Sequence, residues 1–226
     1  MKLALDTSQT SGSIALADAD KLLYSAYFDL RITHSETLMP AIDAAIKTCG
    51  ASPKEISELY VCLGPGSFTG LRIGLATAKG MAYGLDLPVY GFDALQLTAF
   101  PCILSNKKIL AVIDARMKQV YAALYNPDLS VLQAPRVLDP QELLDWDLSG
   151  TVITGSAVAL VRPLLDKANL ASSYAPKYFR IPKAEVLFAL PALLPPQVYR
   201  GEKLFDLEPL YLRESTAQIK HQQNKV

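Results

Sequence analysis

Two stretches of the chain, 108 residues apart, repeat one pattern. The first is KLALDTSQTSGSIAL at residues 2–16, and the second is KILAVIDARMKQVYAAL at residues 108–124. In each, a strand-like run ends in an aspartate, Asp6 or Asp114, and ten residues later a second apolar run reaches Leu16 or Leu124. Equal spacing of this kind predicts two copies of one α/β unit that carries a β-hairpin.

The rest of the chain fits two such units. The first half predicts a three-strand meander, then a helix that begins at a capping box, Thr33 to Glu36, and continues through Pro40. The strand ELYVCL and a helix over 70–84 follow, and the second half adds the strand TVITG with helices near 156–166 and 183–194. We expect an N-terminal lobe at 1–105, a C-terminal lobe at 106–215 and a polar tail at 216–226.

Composition excludes several classes of function. The 22 basic residues balance 22 acidic ones, so no net charge attracts nucleic acid. No apolar run reaches the roughly 18 residues of a membrane span, and Asp6 comes too soon for the apolar core of a signal peptide. The three cysteines form no CxxC motif, which suits a reducing compartment. We expect a cytoplasmic protein with no membrane association.

The loop LGPGSFTG, which begins at Leu63, resembles a phosphate-binding loop but lacks both known signatures. A Walker A motif requires a lysine after its second glycine, and neither register supplies one. The dinucleotide pattern requires a third glycine where Thr69 stands. The loop therefore predicts a tight turn from a strand into a helix.

The helix over 70–84 carries a ridge of small residues at every fourth position. They are Gly70, Gly74, Ala78 and Ala82. Such a ridge lets another element approach the helix backbone closely. Two interpretations fit: the helix lies in the protein's own core on both sides, or it packs on a sheet on one side and on a partner chain on the other.

Few histidines are available for catalysis or metal binding, because the chain has only His34 and His221. Neither has a second histidine at helical spacing, so a histidine-rich metal site cannot be assembled. Asp6 and Asp114 each end a strand at a turn, where a carboxylate could contact a metal-bound phosphate or simply form the turn.

Five segments together resemble the bacterial TsaB family, also called YeaZ. They are LALDTS…SIAL, HSETLMPAID, GPGSFTGLRIGLATAKGMAYGLDLPVYG, AVIDARMKQVYAALY and EPLYLR, in the family's order across nearly the whole chain. The resemblance implies the duplicated α/β fold shared by actin, Hsp70 and sugar kinases (the ASKHA fold), with two lobes that each hold a mixed sheet flanked by helices. It also implies a role in making N6-threonylcarbamoyladenosine at position 37 of tRNA.

In that family TsaB does not catalyse the reaction, and its paralogue TsaD does. TsaD-like catalysts bind metal through a His-x-x-x-His pair, but here Leu38 stands four residues after His34. The resemblance therefore implies a non-catalytic scaffold that docks on TsaD, with TsaE in the ternary complex and tRNA contacted only through the complex. It implies no cofactor of its own, although ATP or ADP could bind at the TsaD interface near Asp114 and Arg116.

The resemblance also implies where the partner binds. Helices matching residues 34–49 and 70–84 form the partner face, which contacts TsaD or, without TsaD, a second copy of the chain. The expected interface residues are His34, Leu38, Met39, Ile42, Gly70, Arg72, Ile73, Gly74, Thr77, Ala78 and Met81. Two other functions stay open: a residual nucleotide hydrolase or glycopeptidase-like enzyme that uses Asp6 and Asp114, and an independent homodimeric binding module.

Overall fold

The computed structural model describes residues 1–29, 34–170 and 173–213. The capping residue predicted at Thr33 and the tail predicted at 216–226 lie outside these ranges. The first sheet contains β1 (Lys2–Asp6), β2 (Gly12–Asp18), β3 (Lys21–Phe28), β4 (Glu58–Gly64), β5 (Val89–Asp93) and β11 (Gln197–Tyr199). Its strand order is β11-β5-β4-β1-β2-β3.

The second sheet repeats this layout. It contains β6 (Lys108–Asp114), β7 (Val120–Tyr125), β8 (Val131–Leu138), β9 (Thr151–Thr154) and β10 (Ser173–Tyr174). Its order is β10-β9-β6-β7-β8, and each neighbouring pair has the same sense as its counterpart from β5 to β3. Each sheet therefore joins an antiparallel meander to parallel strands, and the expected duplicated two-lobed α/β fold is confirmed.

In the described part of the chain, four α-helices complete the two lobes: α1 (His34–Thr48), α2 (Phe68–Leu85), α3 (Ala94–Ala99) and α4 (Val158–Lys167). Helices α1 and α2 cover one face of the first sheet over a core that includes Leu3, Leu5 and Ile14. Helix α4 covers the matching face of the second sheet. A third core, which includes Ala4, Ala111 and the α3 residue Leu95, joins the two lobes.

The sequence repeat predicts that Asp6 and Asp114 occupy the same position in the two lobes. This prediction is wrong by one residue. Because side chains alternate along a strand, Asp6 shares the face of Ala4, which belongs to the core between the lobes. Asp114 shares the face of Leu110, which belongs to the core under α4. An extra residue in the second hairpin reverses the face, so Asp114 corresponds in the fold to Thr7.

The last part of the chain returns to the first lobe. Strand β11 pairs antiparallel with β5, and the amide of Ala184 donates to the Ser13 hydroxyl at 2.9 Å. Part of the segment assigned by sequence to the second lobe, 106–215, thus belongs to the first sheet. The helix predicted near 183–194 is also wrong: residues 184–188 and 190–192 form short 3-10 turns, and Pro191 interrupts the backbone hydrogen bonding that a longer helix requires.

Candidate functional site

A cavity lies where the carboxyl ends of the central strands of both sheets meet. Its volume is about 780 Å³. The first lobe contributes residues 8–10 after β1 and residues 66–69 with Arg72 at the start of α2. The second lobe contributes residues 113–117, Tyr121 and Ser156, and the C-terminal segment adds Tyr211 and Arg213. Crevices of this kind are the usual ligand sites of open α/β sheets.

Close backbone packing fixes the first-lobe wall of this cleft. A Cβ on Gly66 would lie 1.9 Å from the Ser8 carbonyl oxygen, and the Ser67 amide donates to that oxygen at 2.6 Å. The hydroxyl of Ser67 caps α2 by accepting from the Gly70 amide. The glycines of the GPGSFTG loop therefore serve a tight turn against the β1–β2 loop, as the sequence predicted.

Asp6 lies below this wall and does not line the cleft. It is 4 % exposed and accepts a hydrogen bond from the Ser8 amide at 2.9 Å. Burial raises the pKa of its carboxyl, while hydrogen bonds from Ser8 and Cys62 and the charge of His34 act in the opposite direction. Its role in the structure is to hold the β1–β2 loop.

The second-lobe wall is a left-handed turn between β6 and β7. Three successive non-glycine residues, Arg116, Met117 and Lys118, have φ of 63°, 53° and 63°. Asp114 accepts from the Arg116 amide at 2.7 Å, and its carboxylate lies 3.5 Å from the Arg116 guanidinium. The two expected nucleotide contacts, Asp114 and Arg116, are thus paired with each other at the cleft.

The C-terminal segment, residues 207–213, closes one side of the cleft and contacts both lobes. On the first lobe the Leu210 amide donates to the Leu63 carbonyl at 2.7 Å, and the Tyr211 hydroxyl accepts from Arg72. On the second lobe the Arg213 guanidinium contacts the Met117 sulfur at 2.9 Å. Sequence reasoning did not assign Tyr211 or Arg213 to a site, although both lie in or beside the EPLYLR motif that carried the family resemblance.

The small-residue ridge of α2 faces inward. A Cβ on Gly74 would lie 2.2 Å from the Thr7 hydroxyl oxygen, and one on Gly70 would lie 2.2 Å from the Thr7 carbonyl oxygen. Ala78 and Ala82 are buried in the same core. The ridge therefore packs on the chain's own first sheet, an orientation that both interpretations left open for this helix share.

Several expected interface residues are consequently enclosed by the chain itself. They are Leu38, Ile42, Gly70, Gly74 and Ala78, all buried. This is a correction to the expected partner face, because these residues are packed inside the first lobe. His34 is also occupied: its Nε2 donates to the Gln9 carbonyl at 3.0 Å, and its ring packs edge-on against Phe28.

The other expected interface residues remain accessible. Met39 is 50 % exposed, Arg72 is exposed, and Ile73, Thr77 and Met81 are half-buried. On α2, the half-buried residues Ile73, Thr77 and Met81 are interspersed with the exposed small residues Ala76, Gly80 and Gly84. We call the surface formed by Ile73, Ala76, Thr77, Gly80, Met81 and Gly84 the outer face of α2.

Within residues 1–29, 34–170 and 173–213, no three His, Cys, Asp or Glu side chains come together as a metal-binding group. No helix there is both long and apolar enough to cross a bilayer.

The chain matches the family model described as TsaD: tRNA N6-adenosine threonylcarbamoyltransferase over residues 30–186. It is 34 % identical over 146 residues to the tRNA threonylcarbamoyladenosine biosynthesis protein TsaB of Bacillus subtilis and 38 % identical over 129 residues to that of Escherichia coli. These matches cover 64 % and 56 % of this chain but only 63 % and 55 % of the relatives.

A longer match extends over nearly the whole chain. An uncharacterized protein of Mycobacterium tuberculosis is 30 % identical over 221 residues, which cover 95 % of this chain and 92 % of that protein. Among solved structures, YeaZ from Pseudomonas aeruginosa superposes with a TM-score of 0.76 over 93 % of this chain and 99 % of that one, at 24 % identity. That likeness shows a shared fold.

Proposed function

The chain belongs to the family described by the TsaD model and, within it, to the TsaB (YeaZ) group, and from that premise we propose that it is a non-catalytic subunit in N6-threonylcarbamoyladenosine synthesis. In this proposal it acts in the cytoplasm, docks on the catalytic TsaD subunit and holds it in the active arrangement. TsaE joins the ternary complex, and tRNA is contacted through the complex. Without TsaD, a second copy of the chain occupies the docking face.

The observation that carries the proposal is a pair of glycines that the packing of the described residues does not require. Within residues 1–29, 34–170 and 173–213, a Cβ on Gly80 or Gly84 would meet no atom within 4 Å, unlike one on Gly70 or Gly74. Glycine inside a helix is less favourable than alanine by roughly 1 kcal/mol. Since the fold does not require these two glycines, the close approach of a partner helix supplies a physical reason for them.

The surroundings of these glycines suit a helical partner. Ile73 and Met81 offer partly exposed apolar surface on the same face, and Met39 adds more on α1, which packs against α2. Small residues flanked by larger apolar ones let two helix backbones approach while the larger side chains supply the buried area. We therefore assign the docking surface to the outer face of α2 together with Met39.

The arrangement of the acidic residues supports a non-catalytic role. Among the described residues that line the cleft, Asp114 is the only carboxylate, and it is paired with Arg116. Asp6, which the hydrolase alternative would use together with Asp114, is buried at the end of β1, on the face that it shares with Ala4. An ATP or ADP near Asp114 and Arg116 remains a proposal, favoured by the position of the cleft beside the first turn of α2.

The test is a substitution that stabilises α2 and sterically blocks its outer face. Gly80→Leu places a side chain in open space and replaces a poor helix former, so we expect the isolated chain to gain about 0.5–1 kcal/mol in free energy of unfolding. The same side chain would hold a partner helix away, and we expect affinity for TsaD to fall at least about tenfold, which corresponds to ~1.4 kcal/mol. Calorimetric titration of the variant with the cognate TsaD measures this affinity.

The control is Ala159→Leu, which adds a leucine at an exposed position of α4 in the other lobe. This variant should bind TsaD as the unmodified chain does. If Gly80→Leu is folded and binds TsaD with unchanged affinity, the docking surface lies elsewhere.

A further inference from the structure

One stretch of the chain concentrates positive charge, although the net charge of the whole chain is zero. Residues 167–184 contain no acidic residue and four basic ones, which are Lys167, Lys177, Arg180 and Lys183. The stretch includes the short edge strand β10 and the turn that follows it. A local excess of one charge on a neutral protein points to a partner of the opposite charge at that surface.

We propose that this surface binds single-stranded RNA. It consists of Lys107, Lys177, Tyr178, Phe179 and Arg180 beside β10, and we call it the β10 surface. The choice of RNA among polyanions rests on the proposed function, a role in tRNA modification, and it gives this chain its own part in holding the tRNA. The β10 surface lies beside the second sheet, whereas the outer face of α2 lies on the first.

The cations of the β10 surface are not neutralised by neighbouring carboxylates. Within residues 1–29, 34–170 and 173–213, none of Lys107, Lys177 and Arg180 forms an ion pair. The Lys107 ammonium contacts the Ser173 hydroxyl at 3.4 Å, and the Arg180 Nε donates to the Ala175 carbonyl at 2.6 Å. That bond engages one of the five N–H donors of the guanidinium. Such cations contact phosphates, which supply most of the affinity for nucleic acid.

Two exposed aromatic rings lie between these cations in the sequence. Tyr178 is 82 % exposed and Phe179 is 58 % exposed. Proteins bind single strands by stacking unpaired bases on aromatic rings while basic side chains contact the backbone phosphates. An acidic peptide would satisfy the cations but would offer no flat base for the two rings, so the combination favours RNA.

A hydrogen-bonded turn holds the two rings in place. The Ala175 amide donates to the Ile153 carbonyl at 2.9 Å, which continues the parallel pairing of β10 with β9. The next residues form a 3-10 turn, Lys177–Phe179, in which the Phe179 amide donates to the Pro176 carbonyl at 2.9 Å. Less conformational entropy is therefore lost on binding than for a flexible loop.

A small cavity beside the turn provides room for one base. Its volume is about 300 Å³, and mostly apolar residues line it, among them Pro101, Val152, Tyr174 and Phe179. This volume is at the lower limit of small-ligand sites, which suits one flat ring rather than a larger ligand. In the proposal one base enters this cavity and the next stacks on Tyr178.

The experiment is fluorescence anisotropy of the full chain with a fluorescein-labelled oligouridine of about 12 nucleotides, a length typical of single-strand sites. Titrations at potassium chloride concentrations from about 50 to 200 mM give the salt dependence. We expect saturable binding that weakens as salt rises. An RNA duplex of the same length and oligoglutamate, added as unlabelled competitors, should displace the probe much less than unlabelled oligouridine does.

A double variant tests the phosphate contacts. Lys107→Gln/Lys177→Gln removes two exposed charges and should weaken binding at least about fivefold. It should also reduce the slope of log affinity against log salt by about 1.4, because each phosphate contact on a single strand contributes about 0.7. The control Lys21→Gln/Lys54→Gln removes two exposed charges from the first lobe and should change neither value.

A second variant tests the stacking contact. Tyr178→Ala should weaken binding about fivefold or more and leave the salt slope unchanged, because a ring and not a charge is removed. Its matched control is Tyr83→Ala, which removes a tyrosine that is 78 % exposed on α2. This control should bind the oligouridine as the unmodified chain does.

Calorimetric titration with TsaD separates this inference from the proposed function. Both β10-surface variants should keep their affinity for TsaD, because docking uses the outer face of α2. A chain that binds the oligouridine but not TsaD would contradict the docking proposal alone. No saturable binding of the oligouridine, unchanged binding by both variants, or equal displacement by oligoglutamate would overturn the RNA proposal.

Discussion

Asp93 illustrates how one partly buried carboxylate both caps a helix and, when ionised, opposes stability. It caps α3 by accepting hydrogen bonds from the amides of Leu95 at 2.6 Å and Gln96 at 3.2 Å. Burial nevertheless raises its pKa to about 6, from 3.8, because the two hydrogen bonds offset only part of the desolvation. At neutral pH the folded protein thus contains an ionised carboxylate whose free energy is higher in its site than in water.

A pH-dependent contribution to stability follows from this shift. Between pH 4 and 6 native Asp93 keeps a proton that the unfolded chain has released, so its contribution to stability falls as pH rises through this window. Asp93→Asn keeps a capping oxygen but does not titrate. We expect the stability of the unmodified chain relative to this variant to fall by up to about 3 kcal/mol from pH 4 to pH 7.

Urea unfolding of both proteins at pH 4, 5, 6 and 7 measures this difference. Comparing the two removes the opposite contribution of carboxylates such as Asp147, whose pKa the bond from Lys108 lowers to about 2. A stability difference that does not change with pH would show that the pKa of Asp93 is not raised in the folded protein.

At the scale of elements, α2 has two stripes of small residues with different causes. Gly70 and Gly74 face Thr7, whose hydroxyl donates to the Gly70 carbonyl at 2.8 Å, and no Cβ fits between them. Gly80 and Gly84 face open space. The four-residue spacing predicted close approach to this helix correctly. The sequence could not assign the side, because both stripes contain small residues and only the position of Thr7 distinguishes them.

Two alanine substitutions on this helix should have opposite effects. Gly74→Ala forces its Cβ against Thr7, and overpacking of this kind costs about 1–3 kcal/mol. Gly80→Ala meets nothing and should stabilise the chain by about 0.5–1 kcal/mol. Urea denaturation measures both, and Thr7→Ala in the Gly74→Ala background should recover part of the loss. Equal effects of the two alanines would contradict the inward orientation of the Gly70–Gly74 stripe.

At the scale of the whole molecule, the internal repeat predicted the two lobes and their hairpins but not their exact correspondence. A shift of one residue moves a side chain to the other face of a sheet, and sequence letters do not show which hairpin holds the extra residue. Asp6 and Asp114 therefore separated in the structure, one buried under the β1–β2 loop and one at the cleft.

The cleft itself was only partly predictable. Asp114 was singled out from its position at a turn after a strand, which is a local signal, whereas Arg116 was expected near a nucleotide only from the family resemblance. Tyr211 and Arg213 reach the same cleft from the other end of the chain, because the segment after Gln197 returns to the first lobe. Long-range returns of this kind leave no periodicity in the sequence, so these two residues had no local signal.

The central claim is that this chain docks on TsaD and contributes no catalysis of its own. Light scattering of the chain alone and mixed with its cognate TsaD tests it most directly. Threonylcarbamoyladenosine synthesis is assayed in the same samples after addition of TsaE and of TsaC, the enzyme that makes the threonylcarbamoyl adenylate that TsaD uses. The account predicts a chain that is inactive alone and forms a heterodimer that restores synthesis. No association, or synthesis in the absence of TsaD, would contradict it.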